Sequence, residues 1–286
     1  MEIKDISKDH CAYDQITKYA KDLSEVYKSV KEKSKELEVA NRQLFKYAED
    51  LNNNILMLKT AHKDLQNAYI DTIHRLVLAA EYRDEDTGEH IIRISHYSAL
   101  IADKLGLSAK EVENILYAAP MHDIGKIGIP DSILMKPGKL THKEFDSMKT
   151  HTIIGAKILA DSKAEILQFA EQIAISHHER WDGNGYPQGL SGDDIPIVGR
   201  IVGLADVFDA LTSKRPYKEP YPMDMALHII NKERGQHFEP ELSDLLLENA
   251  DEFLKIKKEV DSFEYVPFPN FIRSERDRTE MVSMVL

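Results

Sequence analysis

The sequence predicts an all-α protein: a helical bundle preceded by a long N-terminal coiled-coil helix. Three observations carry that expectation. Residues 14–75 contain neither Pro nor Gly and repeat apolar side chains every seven positions. Two capping boxes and two prolines at helix starts punctuate the remainder. Strand signals are confined to the short stretch Ile195–Ile197.

The N-terminal element rests on its seam. Stepping by seven gives Ile16, Leu23, Val30, Leu37, Leu44, Leu51, Leu58 and Leu65. Three positions further on stand Tyr19, Val26, Lys33, Ala40, Tyr47, Asn54, Ala61 and Ala68. A strict heptad held that long predicts a left-handed coiled coil, with Lys33 and Asn54 as polar breaks that fix register. A lone helix would leave the stripe in water, so the expected partner is a second copy, giving a homodimer through residues 1–75.

From about residue 76 the pattern becomes globular. Ser108-Ala-Lys-Glu111 caps a helix over Val112–Ala119, and Thr141-His-Lys-Glu144 caps one from Phe145 to about Asp161. Ala164–His178 and Ile201–Leu211 carry helical periodicity. Pro222 and Pro240 stand where first-turn prolines belong, ahead of Met223–Glu233 and Glu241–Leu254. Gly and Pro cluster in two loops, Gly125–Gly138 and Gly183–Gly199. Residues 76–261 therefore read as one domain, and 262–286, with Pro267, Pro269 and a charged run, as a tail.

Charge and cysteine content exclude several functions. Acidic residues number 49 against 37 basic, a formal net charge of -12, so a basic surface for duplex nucleic acid is not expected. Cys11 is the one cysteine, which excludes an intrachain disulfide and a thiolate zinc cage and fits a reducing compartment, the cytoplasm. The first residues lack the apolar core of a secretory signal, and no apolar run is long enough for a membrane span.

The chemistry lies in histidines and carboxylates: Asp86 and His90 at i, i+4; His122-Asp123 with Lys126 nearby; His151; the adjacent His177-His178; and Asp206. Any one histidine is more often structural than a ligand, and His10, His62, His74, His96, His142, His228 and His237 keep that reading. Taken together the group is different. Mixed nitrogen and oxygen donors without thiolate suit iron, manganese, zinc or nickel. Eight donors exceed one ion's capacity, which points to two or three metals. Such centres suit phosphate-ester hydrolysis, because paired ions activate water and neutralise phosphoryl charge.

His122-Asp123-Ile-Gly-Lys126 and His177-His178-Glu179-Arg-Trp-Asp182-Gly183-Asn-Gly185-Tyr186-Pro187 resemble the HD-GYP domain, a group of the HD metal-dependent phosphohydrolases. Thr87-Gly88-Glu-His90, the stretch Ala205–Lys218 and Gly235-Gln-His-Phe238 add to the likeness, which covers about residues 70–255. The resemblance implies an HD-type helical bundle that hydrolyses the bacterial second messenger cyclic di-GMP to linear pGpG, GMP or both. It implies metal ligands at Asp86, His90, His122, Asp123, His151, His177, His178 and Asp206, with two or three divalent ions, iron or manganese foremost. Asp123 would bridge ions and Lys126 would contact hydroxide or phosphate. Tyr186, Arg215 and Lys218 would contact substrate. Where trinuclear members carry Glu four residues before the first ligand histidine, this chain has the shorter Asp86. Alternatives are a cyclic dinucleotide sensor with weak turnover, a phosphodiesterase for another cyclic dinucleotide such as cyclic GMP-AMP, and recruitment of signalling proteins by the Gly185-Tyr186-Pro187 loop.

Overall fold

The computed structural model describes residues 3–83, 88–214 and 219–262, with side chains from residue 13 onward. Asp86, Arg215, Lys218 and nearly all of the expected tail lie outside the described residues. Ten α-helices and three short 3-10 turns make up the described chain, and it contains no strand. Two compact units divide it, residues 1–66 and 67–286.

The first helix, α1, runs from Ile3 to Glu81, beginning before and ending beyond the expected 14–75. Without Pro or Gly, nothing in its sequence stops it. Within the first unit the seam is open to water: Ile16, Leu23, Val30, Leu37, Leu44, Leu51, Leu58 and Leu65 are all exposed by more than half.

In the second unit the last turns of α1 are covered. Val77 and Ala80 are buried there, and His74 with them. The chain then forms α2 (Glu89–Lys104), α3 (Ala109–Ala118), α4 (Asp131–Leu134), α5 (His142–Leu159), α6 (Glu165–Ser176), α7 (Ile197–Thr212), α8 (Met223–Lys232), α9 (Pro240–Glu248) and α10 (Ala250–Asp261). Both expected capping boxes are formed. Ser108 and Glu111 exchange side-chain and backbone hydrogen bonds, as do Thr141 and Glu144. Each removes two orphan N–H groups and stabilises its helix by about 1 kcal/mol.

The expected single helix Glu241–Leu254 is two helices. Asn249 interrupts it at φ -111°, ψ 21°, and its side-chain amide donates to the Leu245 carbonyl at 2.7 Å. Asn competes with the helix by such local bonding. Pro222 precedes the first turn of α8 instead of occupying it. α2 opens at Glu89 with Gly88 as its cap, and the expected helix face shared by Asp86 and His90 involves Asp86, outside the described residues.

What positions the site is the contact of α2 with α7. Tyr97, Phe208 and Phe253 are fully buried, with ring centroids 5.3–5.4 Å apart, joining α2, α7 and α10. Each such aromatic pair contributes about 1 kcal/mol beyond its burial. Beside them Arg93 on α2 makes a fork to Asp209 on α7, at 2.6 Å and 3.2 Å, and reaches Asp261 at 3.0 Å. Both Arg93 and Asp209 are buried, so removing either would leave a buried charge without its principal partner.

Candidate metal centre

Seven of the eight expected ligands are described, and they gather in two adjoining groups. Asp123, His151, His177 and His178 form one, and His90, His122 and Asp206 the other; within each group the donor atoms lie within 4.8 Å of one another. Asp123 belongs to both in effect. Its Oδ1 is 3.2 Å from His151 Nε2 and 3.7 Å from His177 Nε2, while its Oδ2 is 3.3 Å from His122 Nε2.

The local fold sets each ring. His122 follows the 3-10 turn Ala119–Met121, and its Nδ1 donates to the Ala119 carbonyl at 2.9 Å. On α5, His151 Nδ1 donates to Met148 O at 2.8 Å. His177, at the end of α6, donates from Nδ1 to Ile173 O at 3.0 Å. A carbonyl only accepts, so Nδ1 carries the proton in each ring and Nε2 faces inward. His90 Nδ1 meets Asp209 Oδ2 at 2.7 Å, the same device with a carboxylate. Outer partners of this kind orient metal-binding imidazoles.

The inward atoms are orphans. Nε2 of His122, His151 and His177 and Oδ1 of Asp123 are buried without a hydrogen-bond partner. Burying that many polar atoms unsatisfied costs several kcal/mol unless a cation completes them. The donors therefore fit metal ions. Burial alone would raise the Asp123 pKa, but Lys126 and His122 hold it well below the usual carboxylate range. Burial would lower His122, yet Asp123 outweighs it and lifts the ring to about 9. Burial, followed by the neighbouring His177, pushes His178 well below the ordinary histidine range.

Lys126 was expected on a helical turn. It lies on the 3-10 turn Ile124–Gly128, where i and i+3 align, and its Nζ is 2.9 Å from Asp123 Oδ2. Gly125 in that turn lies against the backbone of His151 and Gly155; a Cβ there would collide with the His151 carbonyl oxygen. Tyr186 stacks on His178 at 4.7 Å and 32°, so the Gly-Tyr-Pro loop reaches the metal centre. Glu179 holds that loop, accepting from the backbone N–H groups of Gln188, Gly189 and Leu190 at 2.7–3.1 Å. A Cβ at Gly185 would strike the backbone of Glu179 and Arg180.

Four contributors escaped the sequence reading. Asp209 and Arg93 stand three residues from Asp206 and His90 on their helices, a spacing that could have flagged them. Lys149 sits over the Phe145 ring at 4.9 Å and 5.8 Å from the Tyr186 ring, with no motif around it. Glu81, the last residue of α1, has no such signal either. Its Oε2 is buried without a hydrogen-bond partner. Burial raises its pKa, opposed mainly by His90 and His122.

The HD domain family profile matches residues 50–242. The chain belongs to the HD domain family. The HD-GYP likeness of its motifs is matched by similarity to several cyclic dinucleotide phosphodiesterases. It is 52% identical over 177 residues to a cyclic di-GMP phosphodiesterase response regulator of Xanthomonas campestris, covering 62% of this chain and 47% of that one. It is 46% identical over 208 residues to a cyclic di-GMP phosphodiesterase of Thermotoga maritima, covering 72% and 55%. It is also 46% identical over 194 residues to a 3'3'-cGAMP-specific phosphodiesterase of Vibrio cholerae, covering 68% and 37%. The HD domain chain thus spans about half the length, or less, of these curated relatives. No helix among its described residues is long and apolar enough to cross a membrane.

Proposed function

We propose that this HD domain hydrolyses the phosphodiester of a cyclic dinucleotide, cyclic di-GMP first, yielding pGpG, GMP or both. The observation that carries the reading is the set of inward, partnerless Nε2 atoms ranged about the Asp123 carboxylate. His90, His122, Asp123, His151, His177, His178 and Asp206 would hold two divalent ions, with Asp86 as an eighth ligand and route to a third; iron and manganese suit the donors. When bound, the ions lower the pKa of water and neutralise charge on the phosphoryl group.

The chain's own groups do the rest. Asp123, ionised and reached by donors from both groups, holds the two halves in one geometry. Lys126 stands at its edge, partly exposed, where an ammonium can meet a phosphoryl oxygen. Burial keeps the Tyr186 phenol protonated, leaving it to donate or to stack while its ring covers His178. Arg215 and Lys218 would contact the substrate, the one as a fork for a phosphate and the other as a point charge. The open seam of the first unit favours a homodimer through residues 1–75, with 76–261 catalytic and 262–286 a tail. The Gly185-Tyr186-Pro187 loop would also receive signalling proteins. The cytoplasm, where a chain with one cysteine stays reduced, is the compartment this reading requires.

The test is metal content and turnover on one anaerobically purified sample, beside a His122→Ala, Asp123→Ala protein. Two or more ions per chain, with product from the parent alone, supports the phosphodiesterase. Running cyclic di-GMP against cyclic GMP-AMP decides the substrate, since relatives named for each resemble the chain. Full occupancy without product from either would leave a sensor.

A further inference from the structure

The two groups of donors are unequal. Around Asp123 stand three histidines; around His90 and His122 stands one carboxylate, Asp206, itself partly exposed. An ion in the second group would be held by three protein atoms, fewer than the first group offers. Within reach of the charges of the centre is a carboxylate that no motif marks. Glu81 ends α1, Ala80 before it is buried, and its Oε2 is closed off from water with no hydrogen-bond partner. The charges that act on it are those of His90, His122, Asp123 and Lys126, all of the centre.

The segment after Glu81 is clamped in place. Arg83 donates to the carbonyls of Ile127 at 2.7 Å and Ile129 at 3.0 Å, and pairs with Asp131 at 2.5 Å. Ile127 belongs to the turn that carries Lys126, and Ile129 follows it directly. The end of α1 is thus tied to the segment that follows Asp123. A buried carboxylate oxygen with no donor destabilises a fold by about 1–3 kcal/mol. Retained beside imidazoles that also lack partners, it is readily explained as a donor held for a cation.

We infer that Glu81 is an additional oxygen donor to the ion held by His90, His122 and Asp206. This rests on the metal-centre reading above. Glu81 is not among the atoms already within 4.8 Å of one another.

The experiment compares parent, Glu81→Gln and Glu81→Asp, each stripped of metal and titrated with Mn²⁺. The readouts are ions per chain, the affinity of each ion, and the melting temperature before and after loading. Gln keeps the volume and removes the charge. Expected for Glu81→Gln is one ion bound as in the parent and one weakened by about 10–100-fold, the cost of losing a supporting group at a metal site. The metal-free variant should melt at the parent's temperature or higher, because an unsatisfied buried carboxylate has gone. Glu81→Asp should recover part of the affinity. A parent that binds no metal would overturn the centre itself, and this inference with it. A Glu81→Gln protein that binds as many ions with unchanged affinities would overturn only the role of Glu81. So would a metal-free variant that melts well below the parent while binding normally, since that marks a purely structural residue.

Discussion

The two halves of the centre are built from the same side chains but supported differently. In the half around Asp123, His151 and His177 are aimed by carbonyls of their own helices three or four residues back. In the half around His90, the ring is aimed by Asp209, a residue 119 positions away on another helix. In the first half the His151 and His177 rings are therefore aimed as soon as α5 and α6 form. The second is correct only when α2, α7 and α10 have packed, with Arg93 holding Asp209 and Asp261 together. Local hydrogen bonding makes one half robust, and tertiary packing makes the other conditional.

Breaking what the halves share should have the largest effect. Asp123→Asn removes the carboxylate common to both. Turnover of cyclic di-GMP should fall by about 10³-fold or more, the scale of losing a principal electrostatic group. A single-turnover assay on metal-loaded protein checks it, and a fall below tenfold would mean the halves work without the bridge.

Next comes the support of the conditional half. Asp209→Asn should cost about 3–5 kcal/mol, because Arg93 is left as a buried charge with half its fork gone. It should also weaken one ion about 10–100-fold. Urea melts with metal titrations measure both. Removing the carbonyl-aimed ring instead, by His177→Ala, should strip the other ion and, compared in metal-free protein, leave the fold near parental stability. If His177→Ala destabilises as much as Asp209→Asn, the contrast between local and packed support is wrong.

Metal removal sharpens the comparison from outside. At a hundredfold excess over Kd, one bound ion adds about 2.7 kcal/mol. For a chain this size that is a melting shift of about 5–10 °C, lost on chelation. Hydrogen exchange during chelation should rise more at α2 and α7 than at α5 and α6. Equal rises would place both halves in one cooperative unit.

The last contrast, small per pH unit, is a pH dependence away from the ions. His96 lies on α2, as His90 does, but burial depresses its pKa to about 4. The unfolded chain, titrating near 6.5, binds the extra proton between those values. Stability should therefore rise with pH from about 4 to 6.5 and level off above. The slope from this group is at most about 1.4 kcal/mol per pH unit. His96→Gln in metal-free protein should flatten it, and an unchanged slope would assign the dependence elsewhere.

These contrasts also explain what could be read from the residues in order. Helices announced by caps and periodicity were legible, because Ser108, Thr141 and the heptad seam act over a few residues. The break at Asn249 was not, because its apolar pattern runs on and only a side-chain hydrogen bond ends it. The histidines were legible through the family's motifs. Asp209 and Arg93 needed a helix face to be drawn. Glu81 needed the folded chain, since nothing nearby in sequence tells a buried carboxylate from a solvated one.

The contact at Gly125 has a consequence for anyone who would move this centre elsewhere. The turn holding Lys126 and the helix holding His151 touch main chain to main chain, with Gly125 against Gly155 and no side chain between. The separation of those groups is thus written in peptide geometry, not in rotamers. A transplant that copied only the histidines and aspartates onto another helical scaffold would inherit the parts without the ruler. The smallest portable piece is the crossing itself, residues 122–128 laid over 151–155, and a host scaffold must offer two backbones that can approach that closely.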